Sequence, residues 1–162
     1  MPDRSKESLL DFGQTYRKAA DYCVIQDRCA SEIELKLNYW NIDKSFTEEI
    51  LKKLVAEGFL DERRFAITYA SGKFRIKGWG KLKIAAGLRA RSIPSSHIQE
   101  ALATIDNAEY FLFLQSLLTK KIKQLGSKTP ANLQKAIFFA TSRGFEPGLI
   151  ASILRNNEIP DL

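Results

Sequence analysis

Three apolar residues, Ile42, Ile93 and Phe145, each sit at a break in helical periodicity and stand 51 and 52 residues apart. Nine residues before them come Ile33, Ile84 and Ala136, and five before them Leu37, Leu88 and Ala140. Eight and nine residues after them come Ile50-Leu51, Ala101-Leu102 and Ile153-Leu154. Twelve after, Leu54 and Ile105 agree and Asn157 departs. No gap is needed across two helices in any copy. A period of this length marks units that bury their apolar faces by stacking on neighbours. The expectation is an all-α chain, an elongated and curved array of three tandem three-helix repeats, each resembling a helix-turn-helix.

Strand signals are nearly absent, with no long alternating run and no Asn-Gly or Asp-Gly hairpin turn. Helical spacing predicts first helices over about 13–28, 62–77 and 107–125, second helices over 31–40, 80–91 and 131–143, and third helices over 47–57, 95–104 and 147–155. The expected divisions are a flexible N-terminal segment at 1–12, repeats at 13–60, 61–105 and 106–158, and a tail at 159–162. Ser45 with Glu48 reads as a capping box, and Gly58 as the close of that helix. Pro94 and Pro147 fit helix starts, where a missing N–H costs little.

Charge is distributed unevenly. Between Arg63 and Gln99 there are nine Lys or Arg residues and no Asp or Glu; without them the net +6 becomes −3. Residues 1–62 carry nine basic and thirteen acidic groups, whereas residues 63–145 carry fifteen basic and three acidic ones. A field that local attracts polyanions or acidic protein faces, although a merely solvated helix face stays open as an alternative. Aromatic and glycine residues (Phe74, Gly78, Trp79, Gly80) interleave with the cations; Phe74 and Trp79 read more readily as packing residues than as base-stacking platforms.

Other classes find little support. The longest apolar runs are far too short to span a bilayer, and the polar opening from Met1 to Glu7 has no apolar stretch behind it, so neither membrane association nor a secretory leader is expected. Cys23 and Cys29 with a single distant His97 make neither a disulfide framework nor a zinc site, and suit free thiols in a reducing cytoplasm. No serine has a plausible base, the carboxylates avoid the basic stretch, and Gly78-Trp79-Gly80 lacks the rest of either phosphate loop. A non-enzyme without metal or cofactor is expected.

The segment from Leu54 to Ala66 is similar to the hallmark of the RecX family of recombination regulators, approximately Leu-x-x-x-Gly-x-Leu-(Asp/Asn)-(Asp/Glu)-x-Arg-Phe-Ala, met here by Leu54, Gly58, Leu60, Asp61, Glu62, Arg64, Phe65 and Ala66. Glu32 to Leu37 resembles the family's preceding helix. Gly80, Ile84, Leu88 and Ile93 fit its following frame, and Phe65 to Arg75 looks like relatives from the Bacteroidetes group. The likeness is good over 22–105 and weak over 106–155. Cys29 replaces a usual Ser or Thr cap, Gly87 a commonly acidic position and Ser92 the turn glycine. As a junction the hallmark has a physical sense: Gly58 closes one helix with a left-handed cap, Asp61 caps the next, and Phe65 enters the core a turn later.

The resemblance implies a monomeric cytoplasmic modulator, most often an inhibitor, of the RecA recombinase filament, acting on its ATP hydrolysis and strand exchange. Weak, sequence-indifferent contact with single- or double-stranded DNA would accompany it. The candidate contact residues are Lys81, Lys83, Arg89 and Arg91, with Lys73, Arg75 and Lys77 before them, Arg64 at the hallmark, and Lys120, Lys121 and Lys123 as a further choice. The alternative is a helix-turn-helix transcriptional regulator. Its third helices, opening with Thr47-Glu48-Glu49, Ser95-Ser96-His97 and Pro147-Gly148-Leu149, read poorly as base contacts.

Overall fold

The computed structural model describes residues 10–156 and Ile159. The flexible segment expected at 1–12 therefore falls mostly outside the described residues, as do Asn157 and the last three residues of the tail. Nine helices are found among the described residues, and no strand. They are α1 (Phe12–Ile25), α2 (Ala30–Tyr39), α3 (Lys44–Ala56), α4 (Glu62–Arg75), α5 (Lys81–Arg89), α6 (Ser95–Ala103), α7 (Asn107–Leu125), α8 (Pro130–Ser142) and α9 (Pro147–Arg155). None is long and apolar enough to cross a membrane.

The repeat read from sequence is visible in the turns between second and third helices. Asn41, Ser92 and Gly144 all have positive φ, at 55°, 58° and 92°. The next amide in each copy, Ile42, Ile93 or Phe145, donates to the carbonyl five residues back, on Leu37, Leu88 or Ala140, at 3.0, 3.2 and 3.2 Å. One left-handed residue thus closes each second helix by the same bond and turns the next apolar residue inward. Ile33, Leu37, Ile50 and Leu54 are buried, as are their counterparts Ile84, Leu88, Ala101 and Ile105, and Ala136, Ala140 and Ile153. Each such Leu or Ile contributes about 1.5–3 kcal/mol on burial.

The helix starts depart from the reading in one place. The cap of α3 is Asp43, whose carboxylate accepts from the Ser45 amide at 2.8 Å, so the helix begins before the expected Ser45–Glu48 box. Hydrogen bonding to that amide holds the Asp43 carboxyl below its usual range. Asp11 and Gln14 form a reciprocal box on α1, and Asp106 and Thr129 cap α7 and α8. Cys29 opens α2 without a side-chain cap, and both cysteines are free and buried. At the other end of α5, Arg89 is the last helical residue, so Arg91 lies in the turn and not on the helix.

Backbone packing divides the chain into two compact units, with the division between Phe65 and Ala66, inside α4. In the first, α3 packs on α1 and α2 around Tyr16, Ala19, Ile33, Leu37, Ile50, Leu54 and Leu60. Its hallmark is built as the sequence suggests: Gly58 has φ 76°, Asp61 accepts from the Arg64 amide at 2.9 Å, and Phe65 is buried. In the second, α5 packs on α6, and α8 packs on both α7 and α9. A backbone suture ties α5 to the turn after α8: Gly80 N–H donates to the Arg143 carbonyl at 2.8 Å and Leu82 N–H to the Gly144 carbonyl at 3.0 Å. A Cβ on Gly80 would stand 2.3 Å from the Gly144 carbonyl, which is why this position has none.

Candidate functional site

The basic residues of the second unit fall into separate sets. Tyr69 and Lys73 lie one turn apart on α4, so their side chains share a face. Gly78, with φ 65°, then reverses the chain, and the Trp79 amide donates back to the Lys73 carbonyl at 3.0 Å. This brings the half-buried indole beside two ammonium groups, Lys73 Nζ and Lys83 Nζ, each 4.7 Å from its ring centre. Lys73 Nζ also lies 5.2 Å from the Tyr69 ring centre, and the Arg91 guanidinium 5.0 Å from the same ring. Arg91 is held in the turn by donating to the Gly87 carbonyl at 3.0 Å. The result is a continuous row: Arg91, Tyr69, Lys73, Trp79, Lys83.

Gly87 is the residue that lets this row close. A Cβ there would stand 2.3 Å from the Tyr69 hydroxyl oxygen, so the bare backbone is what admits the phenol over α5. Ring quadrupoles hold the cations, each pair contributing about 0.5–1 kcal/mol at exposed sites, and a ring, unlike a carboxylate, cancels no charge. Among the described residues, neither Lys73 nor Lys83 is paired with a carboxylate.

A second set, Arg75 and Lys81, is engaged with α7. Arg75 makes a two-pronged ion pair with Glu109, at 3.2 and 3.1 Å, and those hydrogen bonds with the adjacent negative charge raise the guanidinium pKa further. Lys81 Nζ donates to Asn107 Oδ1 at 3.1 Å and lies 4.8 Å from the Tyr110 ring centre. The Tyr110 hydroxyl accepts from the Lys81 amide at 2.9 Å and donates to Glu146 at 2.5 Å, and burial chiefly drives its pKa far above the usual phenol range. Glu109 and Glu146 thus come within reach of the basic stretch, correcting the expectation that carboxylates avoid it. A third set flanks the half-buried Phe139 with Lys121 at 4.7 Å and Arg143 at 5.0 Å, and Arg143 also donates to the Lys77 carbonyl at 3.3 Å.

Of the remaining candidates, Lys77, Arg89, Lys120 and Lys123 are exposed. Arg64 belongs to the first unit and is engaged there: its Nε meets Asp27 Oδ1 at 2.8 Å, and its guanidinium reaches the Gly58 and Phe59 carbonyls at 3.4–3.5 Å. Sequence reasoning passed over Tyr69, Phe139 and Arg143, and read Trp79 as packing. The available signal was an aromatic residue four before Lys73 on one helix.

The site belongs to an all-helical repeat protein whose second unit carries a row of cations over aromatic rings. The comparisons agree. The family description "RecX, second three-helix domain" matches residues 61–102. The regulatory protein RecX of Chlorobaculum tepidum is 30% identical over 116 residues, covering 72% of this chain and 71% of that protein. That of Halorhodospira halophila is 30% identical over 117 residues, 70% of each. A crystal structure of regulatory protein RecX superposes with a TM-score of 0.78 at 25% identity, covering 89% of this chain and 73% of that one. RecX from Lactobacillus salivarius shares the fold, with a TM-score of 0.81 at 19% identity over 92% of this chain and 97% of that one. The chain belongs to the RecX family of regulatory proteins.

Proposed function

We propose that this protein binds the RecA recombinase filament in the cytoplasm and restrains its ATP hydrolysis and strand exchange, without catalysis of its own. Family membership supports the reading. The observation that carries it is the cationic row of the second unit, in which Lys73 and Lys83 lie over the Trp79 ring and pair with no carboxylate among the described residues. Such a surface meets acidic protein faces or the phosphates of bound DNA, and phosphate contacts position a protein without reading sequence.

DNA-dependent ATP hydrolysis by the cognate recombinase, measured with and without this protein, tests the proposal. Inhibition is expected well below one-to-one coverage of the filament. Replacing Lys81, Lys83, Arg89 and Arg91 together by Ser is expected to weaken it with little change in helical content. Unaltered hydrolysis with the native protein sinks the regulatory reading. Full inhibition by the quadruple variant removes these residues from the contact and leaves the reading itself standing.

A further inference from the structure

We propose that the row Arg91–Tyr69–Lys73–Trp79–Lys83 is a rail for the phosphodiester backbone of nucleic acid, and that Gly87 keeps it assembled. The inference deepens the regulatory reading but is tested on DNA alone, so the two fail separately. Three observations carry it. First, the cations share rings: Lys73 and Lys83 each lie 4.7 Å from the Trp79 centre, and Lys73 and Arg91 lie 5.2 and 5.0 Å from the Tyr69 centre. Neighbouring charges are therefore separated by no more than about twice a ring-contact distance. Such a row matches a repeating line of anions better than a single carboxylate.

Second, long side chains usually lose rotamer freedom on binding, and contacts that already order them reduce that loss. Here the indole and phenol rings do the ordering while leaving ammonium N–H donors for oxygen. Third, cations lie over the ring faces, the surfaces a base would need for stacking. The rail therefore takes phosphate and is indifferent to base, unlike a stacking platform.

Gly87 supplies the discriminating variant. Alanine at this position favours helix, so Gly87→Ala is expected to fold at least as well. Its methyl would strike the Tyr69 hydroxyl and push the ring from its place between Lys73 and Arg91. Tyr69→Phe removes the struck atom, so the double variant should regain what Gly87→Ala loses.

The probes are fluorescein-labelled oligo-dT of about 20 nucleotides, the same length of duplex, an abasic backbone of equal length and oligoglutamate, read by anisotropy over a salt series. Lys73→Ser with Lys83→Ser is expected to weaken oligo-dT binding about tenfold and to flatten the log–log salt slope by about 1.4, the release from two phosphates of a single strand. Lys44→Ser with Lys52→Ser removes equal charge from exposed positions of the first unit and is expected to change affinity by less than about threefold. Gly87→Ala should weaken binding about threefold, and the double variant with Tyr69→Phe should restore it. Abasic backbone should bind within about twofold of oligo-dT. Binding to either strand form supports the rail, and the ratio of the two shows which form supplies the phosphates. Equal losses from the two lysine pairs, strong preference for oligo-dT over abasic backbone, or oligoglutamate bound as tightly as oligo-dT would each overturn the proposal.

Discussion

The two units build three-helix repeats with the same buried positions and the same left-handed turn, and both lay cations over aromatic rings, yet they differ in the acids that accompany them. Residues 1–65 carry eleven basic and thirteen acidic groups; residues 66–162 carry fourteen basic and six acidic ones. In the first unit Arg64 meets Asp27 and Lys52 meets Glu48, each at 2.8 Å. Lys18 and Lys36 lie 4.3 and 5.7 Å from the Trp40 ring centre there, as Lys73 and Lys83 lie 4.7 Å from that of Trp79 in the second unit. In that second unit Arg75 meets the Glu109 carboxylate. A fold specified by Ile, Leu and one turn residue per copy leaves its surface free to diverge, so function is to be sought where the copies differ.

The sharpest difference lies in the turn itself. Asn41 and Ser92 keep side chains at positive φ, so there the backbone alone sets the conformation. Gly144 adds a packing demand: a Cβ would stand 2.2 Å from Lys83 Cβ and 2.5 Å from its amide nitrogen. Gly144→Ala combines left-handed strain with overpacking and is expected to destabilise by about 3 kcal/mol. Asn41→Ala, without the packing demand, should cost about 1 kcal/mol or less. Urea unfolding followed by circular dichroism measures both. Equal losses would mean that the Gly80–Gly144 suture is not a constraint and that the copies are interchangeable.

Buried tyrosines give the next largest contrast. Tyr110 bridges the Lys81 amide and Glu146, so Tyr110→Phe strands two partners and is expected to cost about 2 kcal/mol. Tyr16 donates to the exposed Glu57 alone, and Tyr16→Phe should cost about half as much. Burial, with the Glu57 carboxylate second, pushes the Tyr16 pKa up to about 12. A phenol whose pKa is raised on folding adds stability below its unfolded value near 10, and that contribution is lost as pH climbs through the folded value. Native stability should therefore fall between about pH 10 and 12, and Tyr16→Phe should flatten that fall. An unchanged alkaline slope in the variant would show that Tyr16 ionises freely in the fold.

Much of this architecture was legible because it depends on spacing. The positions of Ile33, Leu37, Ile42, Ile50 and Leu54 recur with a period set by helix geometry, and burial follows. Caps were less legible, since Asp43 and Ser45 both have cap-forming side chains and only the backbone decides which one begins the helix. The candidate site was legible as composition and not as arrangement. Acid-free sequence from Arg63 to Gln99 shows charge, but not that Glu109, ten residues beyond, folds back onto Arg75 while Lys73 and Lys83 meet on Trp79. Gly87 read as a departure from a commonly acidic position; its reason, the Tyr69 hydroxyl, lies on another helix.

The smallest effect tests whether the turn copies share one conformational demand. Ser92 is exposed at φ 58°, and its amide donates to the Arg89 carbonyl at 2.9 Å. A non-glycine residue at such φ carries about 1 kcal/mol of strain that glycine escapes, while glycine loses more backbone freedom on folding. The two nearly cancel, and Ser92→Gly is expected to stabilise by about 0.5 kcal/mol. Asn41→Gly should gain less, because asparagine tolerates the left-handed region better than serine. Both changes lie within reach of careful urea midpoints. A loss on Ser92→Gly would mean that the serine hydroxyl supplies a bond this turn needs, and the second copy would then be held by its side chain where the third is held by its backbone.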